Sequence, residues 1–154
     1  MIAIDTNILV YARREETPFH KEAKELLRNL AEGDSPCTLP WPCIYEFLRV
    51  ITHPRVFDPP TQLEVALEDL ESLTEAPSLV LLGEGHGHFN HLCHMVRSGQ
   101  TIGNLAHDAH IAALIREHGV DELGPPKRTL HGSGVFIFEI HSSDSALLPS
   151  RVLS

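Results

Sequence analysis

Short apolar runs alternate along this chain with longer stretches in which apolar residues recur every three or four positions. Ile2, Ala3 and Ile4 read as a short buried strand, and Ile8 to Val10 resume the apolar run. TPFHKEAKELLRNLAEGD predicts a helix, with Thr17 as N-cap, Pro18 at the first helical position and Gly33 as the stop. Phe19, Ala23, Leu26, Leu27 and Leu30 mark its apolar face. SPCTLPWP is short, apolar and broken by proline, which suits a brief strand, and CIYEFLRVITH is helical by its stripe of Ile44, Phe47, Leu48 and Ile51. TQLEVALEDLESLTEA follows as a helix, with Thr61 and Glu64 at capping-box spacing and Leu63, Ala66, Leu67, Leu70 and Leu73 on one face. Pro77 stops it, and SLVLL reads as another strand. HFNHLCHMVRSG and NLAHDAHIAALIREHG predict two more helices, closed by Gly99 and Gly119.

Strands alternating with helices argue for an α/β fold built on a parallel sheet. No repeat, low-complexity tract or linker divides the sequence, and 154 residues suit a single domain with one sizeable core. Beyond Leu123 the texture changes. GPPKRTLHGSGVFIFEIHSSDSALLPSRVLS contains one apolar run, VFIFEI, able to make a strand between turn-rich polar stretches, so residues 124–154 form an atypical tail.

Three carboxylates interrupt this pattern. Asp5 stands at the C-terminal end of the first strand, where ligands gather in parallel α/β sheets. An N-cap for the following segment is the plainer role. Asp108, Ile111, Ala112 and Ile115 fall at i, i+3, i+4 and i+7, so Asp108 occupies the first turn of a core-facing stripe. A helix N-terminus stabilises a negative charge there, yet a buried unpaired carboxylate costs several kcal/mol or takes up a proton. Glu46 borders the apolar surface, with Cys43, Phe47 and Val50 around it, and solvation is its default. Three acids from separate elements suggest a shared hard cation, because Mg²⁺ and Mn²⁺ take oxygen ligands and keep several waters.

Composition narrows the classes. A net charge of -9 opposes tight neutralisation of many phosphates, but an acidic cluster that binds a cation leaves a nuclease open. A hydrophobic fraction of 42% fits an ordinary globular protein, and no run approaches the length of a transmembrane span, so no membrane association is expected. The N-terminus lacks the features of a signal peptide, and three cysteines without a CxxC suit a reduced, cytoplasmic compartment.

AIDTNILVYA, PWPCIYEFLRVITHPRVF and GNLAHDAHIAALIREHGVDEL, in that order, resemble a PIN-domain ribonuclease of the VapC toxin type over about residues 1–123. The resemblance implies a three-layer α/β/α sandwich with a central parallel sheet and an acidic pocket that holds Mg²⁺ or Mn²⁺. It implies endonucleolytic hydrolysis of RNA, a cognate antitoxin that neutralises the toxin, and a homodimer. By position, Asp5, Glu46 and Asp108 match the first three acids of the family. Asn7 matches a polar residue that supports the first acid, and Thr6 completes that motif. Asp5 and Asp108 are then the principal metal ligands, and Glu46 binds metal through water or orients the nucleophile.

Members of this type usually continue with a segment like WTADxDFxRFxGLxxRNPL, which carries the fourth acid and the closing strand. Here GPPKRTLHGSGVFIFEIHS stands instead. Read from the third base of the Gly124 codon, the permitted codons can spell TAExDFxRF and then GGLHLRNP, the expected ending over some eighteen residues. A single frameshift near Leu123 accounts for this, and a divergent or inserted C-terminus is the alternative. Asp121, Glu122, Glu139 and Asp144 are the acids left in or beside the tail, and no motif selects one as the fourth. VFIFEI is then expected to dock as a substitute edge strand.

Eleven histidines raise a zinc reading, chiefly through His88, His91, Cys93 and His94, but a solvated helix face is the expectation for them. His107 and His110 flank Asp108 and are expected to face solvent or a neighbouring helix rather than RNA phosphate. Arg13, Arg14, Arg49, Arg55 and Arg116 are the bases best placed to meet RNA or an acidic antitoxin segment, with solvation as the default for each. Trp41 is expected to pack beside Pro40 and Pro42. Two functions compete: a metal-dependent endoribonuclease toxin, and a PIN scaffold impaired in catalysis that binds an antitoxin or a second copy of itself.

Overall fold

The computed structural model describes residues 2–33, 36–99, 103, 105–118, 126–131 and 135–140. Its elements run β1 (Ile2–Ala3), α1 (Thr6–Arg13), α2 (His20–Glu32), β2 (Cys37–Pro40), α3 (Trp41–Ile51), α4 (Leu63–Thr74), β3 (Leu79–Leu82), α5 (His88–Gly99), α6 (Leu105–Glu117), β4 (Pro126–His131) and β5 (Val135–Ile140). The sheet order is β3-β2-β1-β5-β4. β2 is parallel to β1 and to β3, which gives the α/β arrangement that the alternation predicts. Each crossover is a helix pair, α1 with α2 and α3 with α4, because adjacent parallel strands need a long return path.

The parallel strands are short and buried. Cys37, Thr38, Leu39 and Pro40 of β2 are all buried, as expected of a central strand covered on both faces. Ala3, Ile4, Ile8, Leu39, Phe47, Ile51, Ile111 and Ile115 belong to one core cluster, which ties β1, β2, α1, α3 and α6 together. Ile4 extends the ladder one step past β1 by donating its N–H to the Thr38 carbonyl at 2.8 Å. The chain then turns straight into α1, so Asp5 is fixed at the carboxyl edge of the sheet.

VFIFEI forms β5, but it is an interior strand rather than an edge. It pairs antiparallel with β1, Ile2 opposite Glu139 and Ala3 opposite Phe138, and β4 takes the outer position. The sheet is therefore parallel on the β3 side of β1 and antiparallel beyond it. The change falls in the residues where the sequence departs from the expected ending.

Three local expectations are corrected. α2 begins at His20, not at Pro18, because the Thr17 hydroxyl donates backwards to the Arg14 carbonyl at 2.7 Å and so does not cap a helix ahead of it. Thr61 forms no capping box for α4, whose N-cap position is Gln62; the Thr61 hydroxyl instead accepts a hydrogen bond from Arg14 at 3.1 Å. Leu63, at the head of the predicted stripe, is exposed, since α4 meets the core only from Ala66 onward. Among the described residues, no helix is long and apolar enough to cross a membrane.

Candidate functional site

The carboxyl ends of the parallel strands carry the polar residues that the apolar pattern leaves unexplained. Asp5 follows β1, occupies the N-cap position of α1 and makes no side-chain capping bond there. Asp5 and Thr6 are both buried, which is costly for a carboxylate unless the surroundings compensate its charge. β2 passes directly into α3, with Pro42 in its first turn, and Glu46 lies one turn further along. Asp108 sits in the first turn of α6, above the buried Ile111, Ala112 and Ile115 of the same helix.

His107 links these elements. Its Nε2 lies 2.7 Å from Glu46 Oε2, an ion pair between α6 and α3 with both side chains largely buried. The same Glu46 oxygen accepts from the Thr6 hydroxyl at 3.1 Å, and Oε1 accepts from Arg49 at 3.2 Å. The His107 imidazole is the main reason that the Glu46 carboxyl is held down to about 2, with Thr6 and Arg49 adding to it against the cost of burial. Reciprocally, Glu46 raises His107, and the charges of Asp108 and Asp5 push in the same direction. All three acids thus act on one imidazole. Cys43 reports part of the same field: burial raises its thiol, and the nearby charges of Asp5 and Glu46 raise it further.

Glu46 thus pairs with His107 from α3, Thr6 bonds to the same Glu46 oxygen, and the charges of Asp108 in α6 and of Asp5 ahead of α1 act on that imidazole. Asn7 is half-buried in the first turn of α1. Carboxylate oxygens are the ligands that a hard divalent cation prefers, and His107 already pairs with one of these acids, Glu46. Of the candidates for a fourth acid, Asp121, Glu122 and Asp144 lie outside the described residues, and Glu139 is described only as a position in β5. His107, expected to face solvent or a neighbouring helix, faces α3 through Glu46, a specific partner that its place before Asp108 does not disclose.

The neighbouring bases serve the fold more than an open surface. Arg13 pairs with Asp69 at 3.2 Å. Arg14 stacks on Phe57 with its guanidinium carbon 4.2 Å from the ring centre, and donates to the Pro59 carbonyl. Trp41 is 39% exposed and tilts against Tyr45, itself 64% exposed, at 5.8 Å between ring centres. The two rings border a cavity shared with Pro42, Gly83, Glu84 and Leu114.

The histidine segment also differs from expectation. His94 is exposed, but His88 is buried, so α5 does not present a uniformly solvated histidine face. His88 Nδ1 lies 3.2 Å from Glu117 Oε2, and Glu117 is gripped by the Gly85 and Gly87 N–H groups at 3.0 and 3.1 Å. The Gly85 N–H, with His88 and Gly87, lowers the Glu117 carboxyl. His110 Nε2 lies 2.9 Å from Glu84 Oε1.

Comparison with known proteins agrees with this geometry. The PIN domain family matches residues 2–123. Ribonuclease VapC48 of Mycobacterium tuberculosis (strain ATCC 25618 / H37Rv) is 36% identical over 116 residues, covering 75% of this chain and 80% of that protein. Ribonuclease VapC43 of the same strain is 35% identical over 118 residues, and VapC ribonuclease Mb2897 of Mycobacterium bovis (strain ATCC BAA-935 / AF2122/97) is likewise 35% identical over 118; each comparison covers 77% of this chain and 80% of the relative. The matched PIN segment ends at residue 123, where the sequence changes character. With the PIN domain matched over residues 2–123 and this extent of identity, the chain belongs to the PIN-domain VapC ribonuclease family.

Proposed function

We propose that this chain is an endoribonuclease toxin that hydrolyses RNA phosphodiester bonds with Mg²⁺ or Mn²⁺ held by Asp5, Glu46 and Asp108. The observation that supports the reading is that Glu46 of α3 pairs with His107 of α6 at 2.7 Å, while the charges of Asp108 beside it and of Asp5 after β1 act on the same imidazole. Carboxylates grouped in a partly buried setting repel one another, and a divalent cation would relieve that repulsion. On this reading the chain forms a single domain in the cytoplasm, acts as a homodimer, and is neutralised by a cognate antitoxin.

Asp5 and Asp108 would hold the ion directly. Glu46 would reach it through water or orient the attacking water, with its carboxylate aimed by Thr6 and Arg49. Asn7, in the first turn of α1, would support Asp5. When bound, a divalent ion activates water and neutralises phosphate oxygens. Asp5 and Thr6 are buried, so bulk water is largely excluded around them. Hydrolysis adds water across the P–O bond, and the leaving oxygen departs with a proton.

A second reading has one specific support: the family match stops at residue 123, so the fourth acid of the family has no identified counterpart. On this reading the chain is an impaired PIN scaffold that binds an antitoxin or another copy of itself. Cleavage of a mixed single-stranded RNA pool separates the two. Metal-dependent cleavage, abolished by EDTA and by Asp5→Asn and Asp108→Asn, supports the nuclease. A folded wild-type chain that leaves the RNA intact in both metals supports the scaffold.

A further inference from the structure

A second metal-ligating cluster stands outside the carboxylate site. Glu84 follows β3, His88 opens α5 and His110 lies near the middle of α6. One ligand atom from each lies within 4.8 Å of the other two. The rings of His88 and His110 are 4.9 Å apart between centres, tilted by 60°. His88 is only 8% exposed, and its Nε2 is buried with no hydrogen-bond partner. A buried ring nitrogen left unsatisfied is destabilising, so the atom calls for a partner.

The arrangement behind His88 identifies what kind. Its Nδ1 faces Glu117, whose carboxylate is itself fixed by two backbone N–H groups. A carboxylate accepting from Nδ1–H sets the tautomer that leaves Nε2 with a free lone pair, as in carboxylate–histidine–zinc triads. Gly85 is part of this construction, since a Cβ there would stand 2.5 Å from Glu117 Oε1 and force the carboxylate off its backbone donors. Glu84 from the β3–α5 connection, His88 from α5, and His110 and Glu117 from α6 are thus organised around one point.

We propose that Glu84, His88 and His110 form a transition-metal site of the Zn²⁺ class, with His88 coordinating through Nε2 and Glu117 as its positioning residue. Two imidazoles and one carboxylate favour a borderline ion over Mg²⁺, which prefers an all-oxygen shell. Ligand atoms around a tetrahedral zinc stand roughly 3.3 Å apart, so a small movement of the exposed Glu84 side chain closes the set. The ion would clamp the β3–α5 connection and the start of α5 onto α6, two residues beyond Asp108. This site shares no residue with the Asp5–Glu46–Asp108 cluster and does not depend on the nuclease reading.

The test is a zinc chloride titration of the EDTA-stripped, re-dialysed full chain, read by calorimetry and by thermal unfolding. One Zn²⁺ should bind per chain, and Tm should rise with zinc. The Asp5→Asn/Asp108→Asn double variant should retain that binding. His110→Gln and Glu84→Gln should each weaken it by tenfold or more, and Glu117→Gln by on the order of tenfold while its ligands remain. Glu84 is largely exposed, so the Glu84→Gln chain is expected to fold even where a buried histidine variant fails. His91→Gln/His94→Gln should bind as the wild type does. The proposal is overturned by a folded wild-type chain that takes up no zinc, by binding that survives Glu84→Gln and His110→Gln, or by binding lost instead in the Asp5/Asp108 or His91/His94 variants.

Discussion

His107 and Glu46 meet at 2.7 Å between α6 and α3, and this pair joins the two helices that carry the later acids of the site. The imidazole is placed there by its position before Asp108 in the first turn of α6, and the carboxylate by its place one turn into α3. Each holds the other in its charged form, and Thr6 fixes the shared oxygen.

The pair should give the metal-stripped chain a distinctive pH dependence. Glu46 is held below its ordinary value, so its contribution is present above about pH 4.5 and is lost as pH falls toward about 2. His107 is raised, so its contribution is present below about pH 6.5 and is lost as pH climbs through its raised value. In EDTA, the stability gap between wild type and His107→Gln should peak between these limits, at about 1–2 kcal/mol, and shrink by pH 9. Denaturant unfolding at several pH values measures it, and a gap that stays constant across the range refutes the coupling.

Loss of either principal acid should abolish cleavage without unfolding the chain. Asp5→Asn and Asp108→Asn are expected to lower the RNA cleavage rate by about a hundredfold or more, since a ligand is removed from the ion that supplies the chemistry. Each variant keeps the size and shape of the side chain, so both should remain folded in EDTA. Parallel rate assays and thermal melts decide this, and a large drop in Tm would show a structural role instead.

Arg14 should matter to stability and not to RNA. Its guanidinium stacks on Phe57 and bonds to Pro59 and Thr61, which pins the segment before α4 to the end of α1. Arg14→Ala should cost about 1–2 kcal/mol in unfolding free energy. The salt dependence of RNA binding should be unchanged; a shallower slope would place Arg14 on the phosphate backbone.

Phe47 is among the largest fully buried side chains and lies on α3 between the acid site and the core. Phe47→Ala should destabilise the chain by about 3–5 kcal/mol through lost burial and the cavity left behind. Urea unfolding checks this, and a loss under 1 kcal/mol would mean that the helix repacks freely.

The altered ending makes a genetic prediction. A two-base deletion at the Gly124 codon, which restores the alternative frame, should yield a chain that cleaves RNA at least tenfold faster than this one. Determining the codons after Leu123 is the first check, because codons unable to spell TAExDFxRF in that frame end the idea outright.

The sequence by itself determined the order of strands and helices up to α6, the parallel core, and the three acids that interrupt the apolar pattern. Those features are local: alternation, a 3.6-residue stripe and a charge out of place are all visible within a dozen residues. Even the bounds of α5 follow directly from HFNHLCHMVRSG. The start of α2 was less legible, because Thr17 found a backbone partner in the preceding helix. Only the tertiary structure decided that His107 faces Glu46, that His88 is buried against Glu117, and that Glu84 and His110 meet across the end of β3. Those contacts join residues that are 61, 29 and 26 positions apart, brought together by the sheet order and by the packing of α5 and α6. Each of these side chains is individually unremarkable by spacing, and its chemistry is set by partners that only the folded chain supplies.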